Sequence, residues 1–161
     1  MKLPTLNLLI LANENMNYIG FQFHNIYRDE HLLKLRITVC NGSFAGTADI
    51  YTDVNRLKEA VTKLQGFPSH LSDVRELNFG GFEHNSAGGG VNMRFYCADR
   101  AGRSYVDSSI QSEWNPSGKA QSAMLTVAVE PASIDVFVGE LIRLSEDQTQ
   151  SARLQGVVRQ S

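Results

Sequence analysis

Between residues 33 and 39 apolar and polar side chains alternate without a break, Leu33, Leu35, Ile37 and Val39 against Lys34, Arg36 and Thr38. A period of two sends successive side chains to opposite faces, so this segment predicts a half-buried β-strand. Asn41-Gly42 follows, a dipeptide favoured in tight hairpins, and "SFAGTADIYT" predicts the returning strand with Gly46 marking a bulge. Upstream, "YIGFQFHNIY" (Tyr18–Tyr27) is aromatic and β-branched and predicts another strand. At the N-terminus "LNLLILA" (Leu6–Ala12) imitates the apolar core of a signal peptide. Pro4 and Asn7 interrupt it and the run is short, so it is read as a first strand.

The period then changes. Val54, Leu57, Val61 and Leu64 are spaced 3, 4 and 3 apart and form one stripe on a helix, with Arg56, Lys58, Glu59 and Lys63 away from it. Asp53 stands where an N-cap belongs, Glu59 and Lys63 form an i,i+4 pair, and Gly66 and Pro68 end the helix. Strand patterning returns with Leu77 and Phe79. Val91, Met93, Phe95 and Cys97 then alternate with Asn92, Arg94 and Tyr96. A turn over Asp99–Arg103 leads into a strand burying Val106 and Ile110, and "AMLTVAVE" predicts a further one. Ile134, Phe137, Leu141 and Leu144 repeat the 3, 4, 3 spacing in a second helix, with Ser133 as its cap.

These elements predict an α+β fold: an antiparallel β-sheet of about seven or eight strands, curved or open, with two amphipathic helices packed on it. Residues 1–145 form one domain. Residues 146–161 are rich in Gln and Ser and are expected to be a frayed or disordered polar tail. The order strands, helix, strands, helix also fits an internal duplication.

Composition adds exclusions. A chain of 161 residues builds a core without disulfides or metals. A net charge of −2 supplies no strong field for nucleic acid or an anionic membrane. Cys40 and Cys97 lie in strand-like runs and read as buried thiols of a reducing, cytoplasmic compartment. No apolar run reaches the ~20 residues of a membrane span.

The stretch "GGFEHNSAGGGV" (Gly80–Val91) is the first candidate for chemistry. It lacks a lysine and leads into strand alternation, not a helix, so it does not form a phosphate cradle. Glu83 and His84 are adjacent, and neighbours in an extended chain point to opposite sides, which disfavours an acid–base pair. No spacing of histidines or cysteines makes a metal motif, and there is no nucleophile elbow. No catalytic residue, metal or cofactor is therefore assigned. Arg94, Tyr96, Arg100 and Arg103 offer a small basic and aromatic hairpin, diluted by Asp99 and Asp107, so nucleic acid is not the favoured partner. The loop "SEWNPSGKA" (Ser112–Ala120) carries the sole tryptophan, Trp114. Such a residue either folds onto the core or anchors a partner.

Three stretches, "LLKLRITVCNGSFAGTADIYTDVNRLKEAVTKLQGF", "GGVNMRFYCADRAGRSYVDSSIQ" and "MLTVAVEPASIDVFVGELIRL", resemble small bacterial domains, some of them immunity proteins of polymorphic-toxin systems. The shared feature is a strand ending in an acid followed by the helix spacing seen here from Ile134 to Leu144. The resemblance implies a non-enzymatic protein that binds another protein, and it carries over no site residues.

The sequence thus leads to a binding protein that occludes a protein partner through Glu83, His84, Asn85, Glu113, Trp114 and Asn115. The alternative is a small-molecule or enzymatic pocket between sheet and helix, lined by Phe21, Phe23, Met93 and Phe95. A homodimer formed through sheet edges is a third reading.

Overall fold

The computed structural model describes residues 18–158. The N-terminal strand expected at Leu6–Ala12 lies outside them. In chain order the elements are β1 (Gly20–Arg28), β2 (Leu33–Cys40), β3 (Ala45–Thr52), α1 (Val54–Leu64), β4 (Val74–Gly80), β5 (Gly90–Cys97), β6 (Ser104–Gln111), β7 (Ser122–Val129), α2 (Pro131–Ser145) and β8 (Ser151–Val157). The strands form one antiparallel sheet in the order β3-β2-β1-β8-β7-β6-β5-β4, so the fold is α+β. The sheet curves until β3, at one edge, packs across β4 to β7, and Ile50 forms an isolated bridge to Gly88.

The chain divides into two βββαβ units, β1-β2-β3-α1-β4 and β5-β6-β7-α2-β8. Their registers correspond. Gly20 faces Cys40 as Gly90 faces Gln111, and Cys40 faces Ala45 as Gln111 faces Ser122. Each third strand runs directly into a helix, through Asp53 in one unit and Glu130 in the other. The last strand of each unit pairs with the first strand of the other, β4 with β5 and β8 with β1. The two units are therefore interlocked, and neither has its four-stranded half of the sheet without the other.

Within the tail expected to fray, Ser151–Val157 form β8, and residues 159–161 lie outside the described residues. Ala152 and Leu154 are fully buried on a strand that pairs with β1 and packs against α2, while Ser151, Arg153 and Gln155 alternate with them. Two apolar residues at period two are enough here because β1 pairs along Ser151–Gln155 and α2 packs on the strand. Two smaller expectations also change. Gly46 stays in register opposite Val39 and makes no bulge; a Cβ there would lie 2.6 Å from Ile110 Cγ2, so the glycine admits β6. The bulge falls in β1, between Asn25 and Tyr27. The second helix begins at Pro131, whose missing N–H is no loss in a first turn, with Glu130 and not Ser133 at the N-cap.

The first helix follows its sequence signals. The Asp53 carboxylate accepts the Arg56 N–H at 2.9 Å, and Gly66 takes φ +74°, open to glycine without strain. Glu59, expected to pair with Lys63, instead meets Arg56 at 3.2 Å. The helices pack on each other, and aromatic rings join them to the sheet. Phe23 meets Phe79 at 5.2 Å and Phe137 at 5.4 Å, both nearly edge-to-face, and Phe67 meets Phe95 at 5.9 Å.

Both helix ends are closed by arginine. Arg28 donates to the carbonyl oxygens of Leu144 and Ser145, and Arg75 to those of Lys63 and Gln65. A guanidinium there meets orphan carbonyls and the negative end of the helix dipole. Asp73 holds Arg75 by two bonds, at 2.7 and 3.1 Å, and also accepts from the Ser69 N–H and hydroxyl. The Arg75 hydrogen bonds, above all, keep the Asp73 carboxyl far below the usual carboxylate range.

Candidate functional site

The glycine stretch joins β4 to β5, and its geometry explains its composition. A Cβ on Gly89 would lie 2.2 Å from the Gln111 carbonyl oxygen, and one on Gly90 would lie 2.7 Å from that of Gly81. Gly88 takes φ +72°, and the Gly89 N–H donates to the Asp49 carbonyl at 2.8 Å. The glycine run thus lets the chain pass close to β3 and β6. Its N–H groups face protein carbonyls and a glutamate, which leaves no converging donors for an anion.

Between these glycines, residues 82–87 stand out from the sheet as a short turn closed by the Ser86 N–H on the Glu83 carbonyl. The loop joining β6 to β7 is organised by Asn115, whose Oδ1 accepts the N–H groups of Ser117 and Lys119 and the Ser117 hydroxyl. An Asx turn of this kind mimics a backbone turn and fixes the loop. Gly118, at φ +77°, completes it.

The two loops, some thirty residues apart, close on each other. Trp114 Nε1 donates to the Phe82 carbonyl at 3.3 Å, and Gln111 Nε2 donates to the same oxygen at 3.0 Å. The Glu113 carboxylate accepts the Gly88 N–H at 3.1 Å. The indole of Trp114 packs against the imidazole of His84, with ring centroids 4.9 Å apart and planes at 50°. Trp114 is half-buried, and its cover is the neighbouring loop, not the core. Glu83, His84, Asn85, Glu113 and Asn115 are all exposed around it, and Phe82 is 37% exposed beside them. The six residues singled out in the sequence therefore lie on these two touching loops.

The other proposed lining is different in kind. Phe21, Phe23, Met93 and Phe95 are all 0% exposed and belong to the packed core. Two surface hollows, of about 550 and 670 Å³, are lined by other residues. The smaller lies beside Phe44, Met124 and Val157. The larger lies beside Arg28, Asp29 and Asp147.

On the β4–β5–β6 surface Arg94 lies over the Tyr96 ring at 5.2 Å and meets Glu76 at 3.9 Å. Tyr96 stacks on Tyr105 at 5.9 Å and donates to Asp107, and burial, then Asp107, pushes its phenol up. The aromatic faces are thus engaged with each other, and Arg94 faces an acid. Arg103 meets Asp99 at 3.4 Å in the same way.

One polar pair escaped the sequence reading. His24 Nδ1 lies 3.2 Å from Ser151 Oγ, across the β1–β8 pairing. Both sit on an open strand surface, whereas a nucleophile needs a base oriented by a third group and donors for an oxyanion. A sequence gives no hint of this contact, because it depends on the placement of β8. Among the described residues, no three His, Cys, Asp or Glu side chains are gathered to hold a metal ion, and no helix is long and apolar enough to cross a membrane.

Comparison with protein-family models, with curated proteins and with solved structures gives no significant match.

Proposed function

We propose that this chain is a non-enzymatic binding protein that engages a protein partner with the loop end built from residues 82–88 and 112–120. The single observation that supports it is the Trp114–His84 contact, reinforced by the indole bond to the Phe82 carbonyl. It locks two distant loops into one preformed surface before any partner arrives. A half-buried tryptophan ringed by exposed Glu83, Asn85, Glu113 and Asn115 has the make-up of a binding hot spot with a polar rim. Preorganisation spares the entropy of ordering loops on binding.

The mode of action is occlusion. The surface brings shape and a rim of polar groups, and it covers the partner's working site, as an immunity-type protein covers a toxin. The reading places the protein in the cytoplasm, where the thiols of Cys40 and Cys97 remain reduced.

The test is co-expression of the chain with the products of genes adjacent to its own, followed by isolation of a complex and titration. Trp114→Ala is expected to weaken the complex by tenfold or more, since truncating an anchor of this type costs roughly 2 kcal/mol. Arg56→Ala, on the exposed face of α1, is expected to leave affinity unchanged. A complex indifferent to both Trp114→Ala and His84→Ala removes the loop end as the binding surface.

A further inference from the structure

The two units present unlike outer faces. In the first unit, the side chains that alternate with the core residues Phe21 and Phe23 point away from the core, and pairing aligns them in rows across four strands. One row runs Ser151, His24, Arg36, Asp49. Arg153 lies in the row on one side of it and Lys34 in the row on the other.

The register of the second unit matches these positions. Where the first unit has Lys34, Arg36 and Arg153, the second has Tyr105, Asp107 and Asn78. The cation on the second face, Arg94, meets Glu76 at 3.9 Å. The first face therefore carries three cations against one acid, Asp49, and the matched positions of the second carry one cation against two acids. The whole chain has a net charge of −2, so the first face is positive on an otherwise acidic molecule.

The cations of this face are not equally neutralised. Asp49 holds Arg36, whose Nε and Nη2 donate to the carboxylate at 2.8 and 2.9 Å. Lys34 and Arg153 form no ion pair among the described residues. Each lies over a tyrosine ring instead, Lys34 Nζ 5.2 Å from the centre of Tyr51 and the Arg153 guanidinium 5.5 Å from that of Tyr18. The Glu140 carboxylate, near Arg153, accepts the Arg153 main-chain N–H. Two long basic side chains are thus held in place with their charges unanswered, which lowers the entropy lost when an anion meets them.

We infer that the outer face of β8, β1, β2 and β3 is a second interaction surface, which takes an extended acidic segment of a protein partner. Lys34 and Arg153 stand two strands and two rows apart, about 16 Å from strand spacing and rise. About five residues of extended chain span that distance. His24 and Ser151 lie between the two cations and offer hydrogen-bonding groups along the way. The charge sign selects an acidic partner, since complementary potentials steer association. A nucleic acid fits less well. The Asp49 carboxylate sits within the face, and the rings of Tyr51 and Tyr18 are already covered by cations, which takes away the platform on which a base would stack.

Fluorescence anisotropy tests the inference, with a labelled oligoglutamate of about ten residues titrated by the full chain at about 0.02 M and about 0.15 M salt. Oligoglutamine of the same length is the uncharged control. The expected result is saturable binding of oligoglutamate alone, weaker at the higher salt. Lys34→Gln and Arg153→Gln should each weaken it by about threefold or more, and together by about tenfold. Lys34→Arg and Arg153→Lys keep the charges and should keep binding. Arg94→Gln, on the second face, should leave it unchanged. Absence of binding at the lower salt overturns the inference, and so does binding that survives the double Gln variant. Tighter binding of an oligothymidylate than of oligoglutamate would assign the face to nucleic acid and overturn it as well. Trp114→Ala should leave oligoglutamate binding intact, which separates this surface from the loop end; a loss there instead would place the peptide on the loop end and sink the assignment.

Discussion

The guanidinium of Arg28, on β1, donates to the main-chain carbonyl of Leu144, in the last turn of α2, at 2.9 Å. A second bond, also 2.9 Å, goes to Ser145. One side chain from the first unit thus terminates the helix of the second. The nearby Asp147 carboxylate, 56% exposed and 3.8 Å away, adds little by comparison. Arg28→Met keeps the stem and removes the donors. It should lower the unfolding free energy by about 1.5–3 kcal/mol, as for hydrogen bonds from a charged group. The measurement is a urea titration, with a lower midpoint and an unchanged slope.

Asp73 gives a pH prediction. Its side chain is 9% exposed and bound to Arg75 and Ser69, and its pKa is depressed in the folded state. A depressed carboxylate stabilises the fold fully above its unfolded pKa of about 3.9, and that contribution is lost as pH falls through the folded value. Asp73→Asn should cost about 1–3 kcal/mol at neutral pH. The gap between variant and wild type should narrow steadily below about pH 4. Thermal melts from neutral pH downward check this, and a gap that widens in acid contradicts it.

Close packing at Gly46 predicts a coupled pair. A methyl group there meets Ile110 Cγ2 at 2.6 Å, so Gly46→Ala should destabilise by about 1–3 kcal/mol through overpacking. Ile110→Ala removes the opposing methyl. The double variant should be more stable than the sum of the single effects allows, with a coupling of about 0.5 kcal/mol or more. Additive losses would show that β3 does not press on β6.

The Trp114–His84 contact can be followed in light emission, because the chain has one tryptophan. His84→Ala uncovers a face of the indole, so the emission maximum should move to longer wavelength. Stability should change by no more than about 0.5 kcal/mol, since His84 is an exposed loop residue. An unchanged spectrum would show that the two loops do not touch in solution.

Much of the fold was legible in the sequence where one residue pattern had one solution. The alternation of Leu33 to Val39 became β2, and the Val54 stripe with its Asp53 cap became α1. What escaped depends on distant partners. β8 carries only Ala152 and Leu154 as buried apolar residues, and its pairing with β1 makes it a strand. Arg28 and Arg75 look like ordinary surface charges until the helix ends arrive beside them. The correspondence of the two units is a matter of register, and the matched positions differ in residue type, as Cys40 and Gln111 do. At the loop end, a tryptophan among polar residues was the one signal available. Its partner, His84, could not be chosen from the four histidines before the loops were placed.

The exchange of final strands between the units has a kinetic meaning. His24 and Ser151 face each other across the β1–β8 seam although 127 residues separate them along the chain. The hairpins on either flank are local and can assemble early, but that seam requires the ends of a very long loop to meet, which is entropically slow. Until it forms, β1 exposes unpaired backbone on its β8 side, and a folding chain passes through a stage at which it is most open to capture by a neighbouring molecule.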